Sequence, residues 1–467
     1  MSTQPAPPPT PARSGLDDFP PRGRLLKRLL LVSAVSLSLL AGLRLWWGWR
    51  IDAAWEAELA AARAAGEDDF PPPADVPDDQ NAAVPVMAAL QALELSLEDA
   101  AYLDGLGQSM PYIFEPGSLP PKVDSVRVEE MVAANEPALQ RLRAARGRPF
   151  TAWRLQPDPD ADRYFGTSAE PADEIDRMRR LLFAATLAAL QNGDSAGAFA
   201  RLRDALLFEQ TWEQGPDRLG LLSEAFEMLM GWTASVAAVD GPPDSDPAVR
   251  AEMTALIAEL LADESFHRIG IERLCRRRTA ALFFPSHVQS SPEPYWGPRT
   301  LRMLFAPSAR LAALQARREI EAAADAAREP DLPAALGRMP PRGIDPWMEY
   351  TLGGNEVWFL MLGRPWLGKA YADRACRRMA ATVLALRLHQ ADAGRLADSL
   401  EPLVPRYLPA VPVDPTAERS RPVAFQPGGR CVRCEGVSAS AFSVLTIPAP
   451  DPSTDPVIPR APSEPER

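Results

Sequence analysis

The chain has 467 residues, 46% of them hydrophobic, which is enough apolar material for a large core and about three ordinary domains. Acidic side chains outnumber basic ones, 62 to 50, for a net charge of −12, and this excludes the basic face that a nucleic-acid partner requires. Three His and four Cys leave few candidates for metal chemistry, whereas proline, at 50 residues, is about twice as common as usual.

Residues 1–24 are polar and carry Pro5, Pro7, Pro8, Pro9, Pro11, Pro20 and Pro21. Such a stretch buries too little apolar surface to offset its ordering entropy, and a disordered tail is expected. Arg22, Arg24, Lys27 and Arg28 then precede an uncharged run from Leu29 to Leu43. Arg44 interrupts it near the far end, and Trp46, Trp47 and Trp49 come next, before Arg50. As a helix, Leu29–Trp49 rises about 31 Å, roughly the thickness of a bilayer's hydrocarbon core. A transmembrane helix over 25–50 is expected, with lipid as its partner through 29–49. Arg44 can snorkel to the headgroups, and the three Trp match an interfacial belt. The rival is a cleaved signal peptide, for which Leu43-Arg44-Leu45-Trp46-Trp47 is a poor cleavage context.

Orientation is set by the basic residues. Four lie in the near flank before the apolar run, whereas residues 51–80 hold nine acids and a single base, Arg63. Lys and Arg stay cytoplasmic, so the N-terminus is expected inside and everything after residue 50 outside. Over 51–80, Trp55, Leu59 and Ala62 recur at helical spacing, Gly66 can close the helix, and Pro71, Pro72, Pro73 and Pro77 stiffen the chain beyond it. A helical stalk and a Pro-rich linker are expected there.

Residues 81–390 read as an α-helical exported domain. Asn81 is the expected N-cap of a helix reaching about Leu97. Residues 104–124 look loop-like, a helix runs from about Val126 to Arg146, and 147–171 are irregular. The clearest hairpin comes next, with Ile175, Met178, Leu182, Ala185 and Ala189 on one helix and Phe199, Leu202 and Leu206 on the other. Asn192-Gly193-Asp194-Ser195 between them reads as a stop, a turn and a new cap. The pair resembles a tetratricopeptide-type unit, but three matching units are not present, so an irregular helical domain is expected. A third helix carries Leu222, Phe226, Leu229 and Trp232, and a fourth starts at Ser245-Asp246-Pro247. Further helices are expected over about 264–284, 308–328 and 368–389. Residues 391–447 form a small loop and β-hairpin region, and the Pro-rich 448–467 a disordered tail.

Candidate chemistry is sparse. Cys431-x-x-Cys434 lacks the second ligand pair that zinc needs and the strand-to-helix setting of a redox site. A disulfide or two plain thiols are expected in an oxidising compartment, and Cys275 and Cys376 read as buried small side chains. His267, His287 and His389 are the only imidazoles. His389-x-x-Asp392 could set a base beside an orienting acid, but no nucleophile is marked by spacing. Arg273, Arg276, Arg277 and Arg278, echoed by Arg374, Arg377 and Arg378, could meet an anionic ligand or simply pair with the many acids. Gly353-Gly354-Asn355 and Gly368-Lys369-Ala370 lack phosphate-loop spacing. Trp347, Trp358 and Trp366 mark an apolar stretch expected in the core. No catalytic residue, metal or cofactor is nominated.

Several segments in order resemble a group of membrane-anchored proteins of planctomycete-type bacteria. They are Ala64-Ala65-Gly66-Glu67, Asp79-Gln80-Asn81-Ala82-Ala83, Gly193-Asp194 with Ala198, Glu272-Arg273, and Leu400-Glu401-Pro402-Leu403-Val404-Pro405-Arg406-Tyr407-Leu408-Pro409 with Pro412-Val413-Asp414-Pro415. The resemblance covers most of residues 50–425 and implies a bacterial inner-membrane location and a helical fold. Residues 384–425 are also similar to the C-terminal part of type II secretion pseudopilins. Ser399-Leu400, Leu403-Val404-Pro405, Tyr407-Leu408-Pro409, Pro412 and Asp414-Pro415 carry that similarity, which implies a helix leading into a small β-hairpin. The pilin N-terminal signature is missing, and Val432-Arg433-Cys434-Glu435-Gly436-Val437 stands where a calcium-holding ending would be. The expected role is a scaffold or protein-interaction module at the envelope with an unidentified protein partner. The alternatives are an extracytoplasmic enzyme whose site forms only in three dimensions, or a secretion- or pilus-associated subunit.

Overall fold

The computed structural model describes residues 22–64, 76–109, 122–152, 172–213, 246–262, 314, 317–319, 321–340, 363–419, 421–428, 431–434 and 444–446. The expected helices over 222–232 and 264–284, both disordered tails save residues 22–24, and most of the Pro-rich linker lie outside these residues. So do Cys275, His267, His287, Trp347, Trp358 and the arginines at 273 and 276–278. The described part is mainly helical, with one small sheet.

Helix α1 runs unbroken from Arg22 to Ala64, 43 residues, so the expected span and stalk are one rod of about 64 Å. It starts inside the segment expected to be a disordered tail. Nothing in Leu25–Ala61 breaks a helix, since its only glycines are Gly42 and Gly48 and it holds no proline.

The domain begins with α2 (Ala83–Gln91) and α3 (Leu97–Ser109). The helix expected up to Leu97 therefore ends at Gln91. Ser96 starts the next one, its hydroxyl accepting from the Asp99 amide at 3.1 Å and donating to the Asp99 carboxylate at 2.6 Å. Helix α3 carries Gly105 and Gly107 and reaches Ser109, inside the segment expected to be a loop at 104–124. Asn81 accepts from the Ala83 amide, the first of α2, at 3.1 Å, as expected of a residue that opens this helix, and it does more. It is fully buried and ties the domain's entry to residue 152, donating to the Ala152 carbonyl at 2.8 Å and accepting from the Ala152 amide at 2.9 Å.

The single helix expected over 126–146 is two, α4 (Ser125–Ala134) and α5 (Glu136–Arg143). Pro137 sits in the first turn of α5 and cannot donate to a continuing helix. Asn135, buried at the break, makes bonds of its own there. Its side chain donates to the carbonyls of Met131 (2.9 Å) and Glu94 (2.8 Å) and accepts from the Glu94 amide (2.7 Å), closing the α2–α3 turn onto the α4–α5 corner.

Helices α6 (Ala172–Gln191) and α7 (Ser195–Glu213) form the expected hairpin. Gly193 takes φ +73°, a left-handed conformation that a Cβ disfavours, and the Asp194 carboxylate caps α7 by accepting from the Gly197 amide at 2.8 Å. Helix α8 (Pro247–Leu260) opens on Asp246, as its Asp-Pro start predicts, with the Asp246 carboxylate accepting from the Ala248 amide at 2.8 Å. Helical residues at 317–319 and 321–326, a short α9 (Leu332–Arg338) and a long α10 (Gly363–Ala393) follow among the described residues.

The α6–α7 hairpin is the centre of the domain. Helices α2, α3, α4 and α5 pack on it from one side, α8 packs on α7, and α10 packs on α8. Ile175, Met178, Leu182, Phe183, Leu202, Phe208, Leu256 and Leu384 are all within 1% of complete burial in this core. Helix α10 is buried on nearly every side between Ala375 and Leu388, which its many alanines allow by letting neighbours approach closely. A smaller cluster joins α9 to the start of α10 through Ala335, Met339, Leu367, Ala370 and Tyr371.

After a 3-10 turn at Glu401–Leu403 the chain forms a three-stranded antiparallel sheet, β1 (Ala424–Gln426), β2 (Cys431–Arg433) and β3 (Val444–Thr446), in that order. The expected hairpin thus gains a strand, and the Cys-bearing segment is its middle strand, packed on α10.

Candidate functional site

Three places concentrate the chemistry singled out in the sequence, and the anchor helix is the first. Every residue from Leu25 to Leu43 is exposed, although leucine and valine dominate the segment. Leu29, Leu31, Leu37 and Leu39 each leave 58–69% of their surface uncovered. A water-soluble monomer rarely exposes a contiguous apolar patch of this size. The helix is long and apolar enough to cross a membrane. At its far end the guanidinium of Arg44 lies 4.8 Å over the Trp47 ring, and that of Arg50 lies 5.4 Å over Trp46. Cation–π contact of this kind suits the layer where apolar rings and charge meet. Arg24, Lys27 and Arg28 fall in the first two turns of the same helix, and Trp49 is exposed near Arg50.

The second place is the contact between the sheet and α10. Cys431 and Cys434 stand as free thiols, and no bridge joins them. Side chains alternate along a strand, so an odd offset such as 431 to 434 directs the two sulfurs apart. Cys431 faces Gln426 across the ladder, its sulfur 3.5 Å from the amide oxygen. Cys434 is buried against α10, with its sulfur 3.9 Å from the Ala375 carbonyl. Burial and the nearby Asp414 carboxylate push the Cys434 thiol up, and burial does the same to Cys376. Raised thiols are poor nucleophiles and poor metal ligands.

Around them the arginines of α10 are all engaged. Arg377 pairs with Asp373 at 2.9 Å inside the core, Arg378 donates to the Val413 carbonyl at 2.7 Å, and Arg374 stacks over Tyr371. Asp414 is buried and receives the amide (2.8 Å) and hydroxyl (2.5 Å) of Thr416. The Pro412-Val413-Asp414-Pro415 stretch is therefore a packed joint between α10 and the sheet, in which the second arginine cluster is structural.

The third place is the end of α10, where His389 and Asp392 lie. They do not form a base and its orienter. The Asp392 carboxylate is taken up by the Tyr407 hydroxyl, by Arg250 of α8 at 2.8 Å and by Arg406 at 2.5 Å. The Tyr407 hydrogen bond, then the two guanidiniums, hold Asp392 below the usual carboxylate range. Burial, then the Asp392 hydrogen bond, push the Tyr407 phenol up to about 12. His389 meets only the edge of the Tyr407 ring, 6.1 Å between centroids, and its Nδ1 is sealed from solvent without a hydrogen-bond partner. One acid beside His389, already held by three donors, is not an acid–base pair ready for substrate. Sequence spacing could find His389 and Asp392, three apart on a helix. It could not find Arg250, Arg406 or Tyr407, which reach Asp392 from other elements.

A further network, not marked by any motif, surrounds Asp204 of α7. It is buried and receives Arg143 at 2.8 Å and Arg146 at 2.7 Å, while Glu252 and Glu259 of α8 hold Arg203 at 2.7 and 2.6 Å. Burial pushes the Asp204 carboxyl up against the pull of these guanidiniums. Positive and negative groups balance, so the network ties α5, α7 and α8 together. Among the described residues no group of three or more His, Cys, Asp or Glu is placed to hold a metal ion. No family model, no curated protein and no solved structure matches the chain. The geometry has to carry the functional reading by itself.

Proposed function

We propose that the chain is a single-pass membrane protein whose helical domain serves as a scaffold or interaction module on the outer side of the cytoplasmic membrane. One observation carries it: Leu29–Leu43 is a helix of uncharged, mainly apolar side chains exposed all round, a surface suited to lipid. Basic residues at its start, against the single base Arg63 in residues 51–80, support an inside N-terminus. Among the described residues, Asp204, Glu209 and Asp392 are held in pairs and networks that join helices, which supports a structural role over a catalytic one.

The test is topology with fractionation. Reporters active only inside or only outside the cytoplasm are fused after Glu67 and at the C-terminus, and the product is sized in membrane and soluble fractions. Full-length, membrane-bound chain with residue 67 outside is the expected result. A shortened soluble product, or residue 67 inside, would overturn it.

A further inference from the structure

The residues of α1 that are not exposed form a single stripe. Arg44, Trp47, Asp52, Trp55 and Glu58 are half-buried, and Gly48, Ile51 and Leu59 are buried. Their steps of three and four keep them on one face of a helix of 3.6 residues per turn. The cover includes a described contact with the distant part of the chain: Arg317, 5% exposed, lies 3.3 Å from Glu58. The segment expected to be a helical stalk is thus covered along one face and tied through Glu58 to Arg317.

The stripe does not begin after the apolar run but within it, at Arg44. On the opposite face at the same level, Leu45, Trp46 and Trp49 remain 75%, 52% and 68% exposed. From Arg44 to Trp49 the helix rises about 7.5 Å. The headgroup layer on one side of a bilayer is about 5–8 Å deep, the difference between total and hydrocarbon thickness shared over two faces. The half-covered, half-bare collar and the headgroup layer have the same depth.

We infer that the domain is clamped to its own anchor and sits flush on the membrane, with Leu45, Trp46 and Trp49 seated in the phospholipid headgroup layer. It rests on the membrane assignment proposed above. The bare flank continues the exposed face of Leu25–Leu43, which argues for lipid as its occupant. Arg50, stacked over Trp46, adds a cation where phosphates lie. The covered flank holds the domain close, so a partner would meet it at the membrane surface and not on a swinging tether.

The test uses the full-length chain, with Cys275 and Cys431 replaced by Ser, in vesicles of phosphatidylcholine and phosphatidylglycerol. Glu58→Cys with Arg317→Cys is treated with a short bis-maleimide. Leu45→Cys and, as a domain control, Leu97→Cys carry nitroxides. The expected results are an intramolecular crosslink in the double variant alone, and a label at position 45 reached by membrane-dissolved oxygen and much less by a water-soluble relaxant than the label at 97. No crosslink above the single variants would overturn the clamp. A label at 45 as water-exposed as that at 97 would overturn the headgroup seat. A chain stripped from the vesicles by alkaline washing would remove the membrane assignment and the headgroup seat together, while the crosslink would still report the clamp.

Discussion

Glu58 on the anchor helix and Arg317, more than 250 residues later in the chain, lie 3.3 Å apart, and the guanidinium is almost wholly covered. Arg317 also holds Glu321 at 2.7 Å, so the contact links α1 to the helical residues that precede α9. Replacing Arg317 with Ala should loosen residues 51–59. Amide hydrogen exchange there should speed up, while exchange in α6 and α7 stays slow. Equal exchange in wild type and variant would show that the pair does not hold the helix.

The lipid-facing segment predicts a position-dependent cost for charge. Leu37 is 66% exposed near the middle of the apolar run. Leu37→Arg should weaken insertion by about 3 kcal/mol, the cost of arginine at a helix centre. The membrane-pelleted share should fall, while Leu97→Arg, on the domain surface, should leave it unchanged.

Arg179 of α6 and Glu209 of α7 form a two-pronged ion pair inside the hairpin, at 2.5 and 2.9 Å, with side chains 3% and 7% exposed. Glu209→Gln removes the two-pronged partner of a buried guanidinium, leaving it the more exposed Asp176 at 3.3 Å, and should cost up to about 3–5 kcal/mol. Arg179→Met combined with Glu209→Leu should recover most of that, because the desolvation penalty goes with the charges. Denaturant unfolding of the two variants in detergent measures the difference.

Tyr407 makes a pH prediction. Its phenol is raised to about 12 in the folded chain, against about 10 unfolded. A raised pKa means the folded state keeps the proton longer. The stabilisation is therefore complete below about pH 10 and is lost as pH rises towards 12. Asp392 has the opposite shift, so its contribution is present above the ordinary carboxylate range and disappears as pH falls through its lowered value. Besides Tyr371, which burial also raises, ultraviolet titration should find a late tyrosine near pH 12. Tyr407→Phe should remove it and bring Asp392 back towards the ordinary range.

The cysteines predict a sharp contrast in alkylation. Cys431 is partly exposed, whereas Cys434 is buried with a raised pKa. A maleimide at neutral pH should label Cys431 in the native chain and reach Cys434 only after unfolding, as mapped by peptide mass spectrometry. Native labelling of both, or a 431–434 bridge in peptides isolated without reduction, would contradict the strand geometry.

The amino-acid sequence determined the features that depend on neighbours along the chain. The apolar run made α1, Asn192-Gly193-Asp194 made the α6–α7 turn, and Asp246-Pro247 opened α8, because capping, backbone freedom and helical period act within a few residues. Pro137 is equally local, yet its break is hard to see because the apolar spacing on either side continues the helical pattern. Tertiary structure decided what each polar side chain does. Asn81 ties residue 152 as well as opening α2, Asp392 serves Tyr407 and two arginines instead of His389, and one face of the stalk is covered. Those outcomes depend on which distant elements arrive within hydrogen-bond reach and exclude water. Cys431 and Cys434 share a motif in sequence, but the alternation of a strand sends one to the ladder and the other into the core.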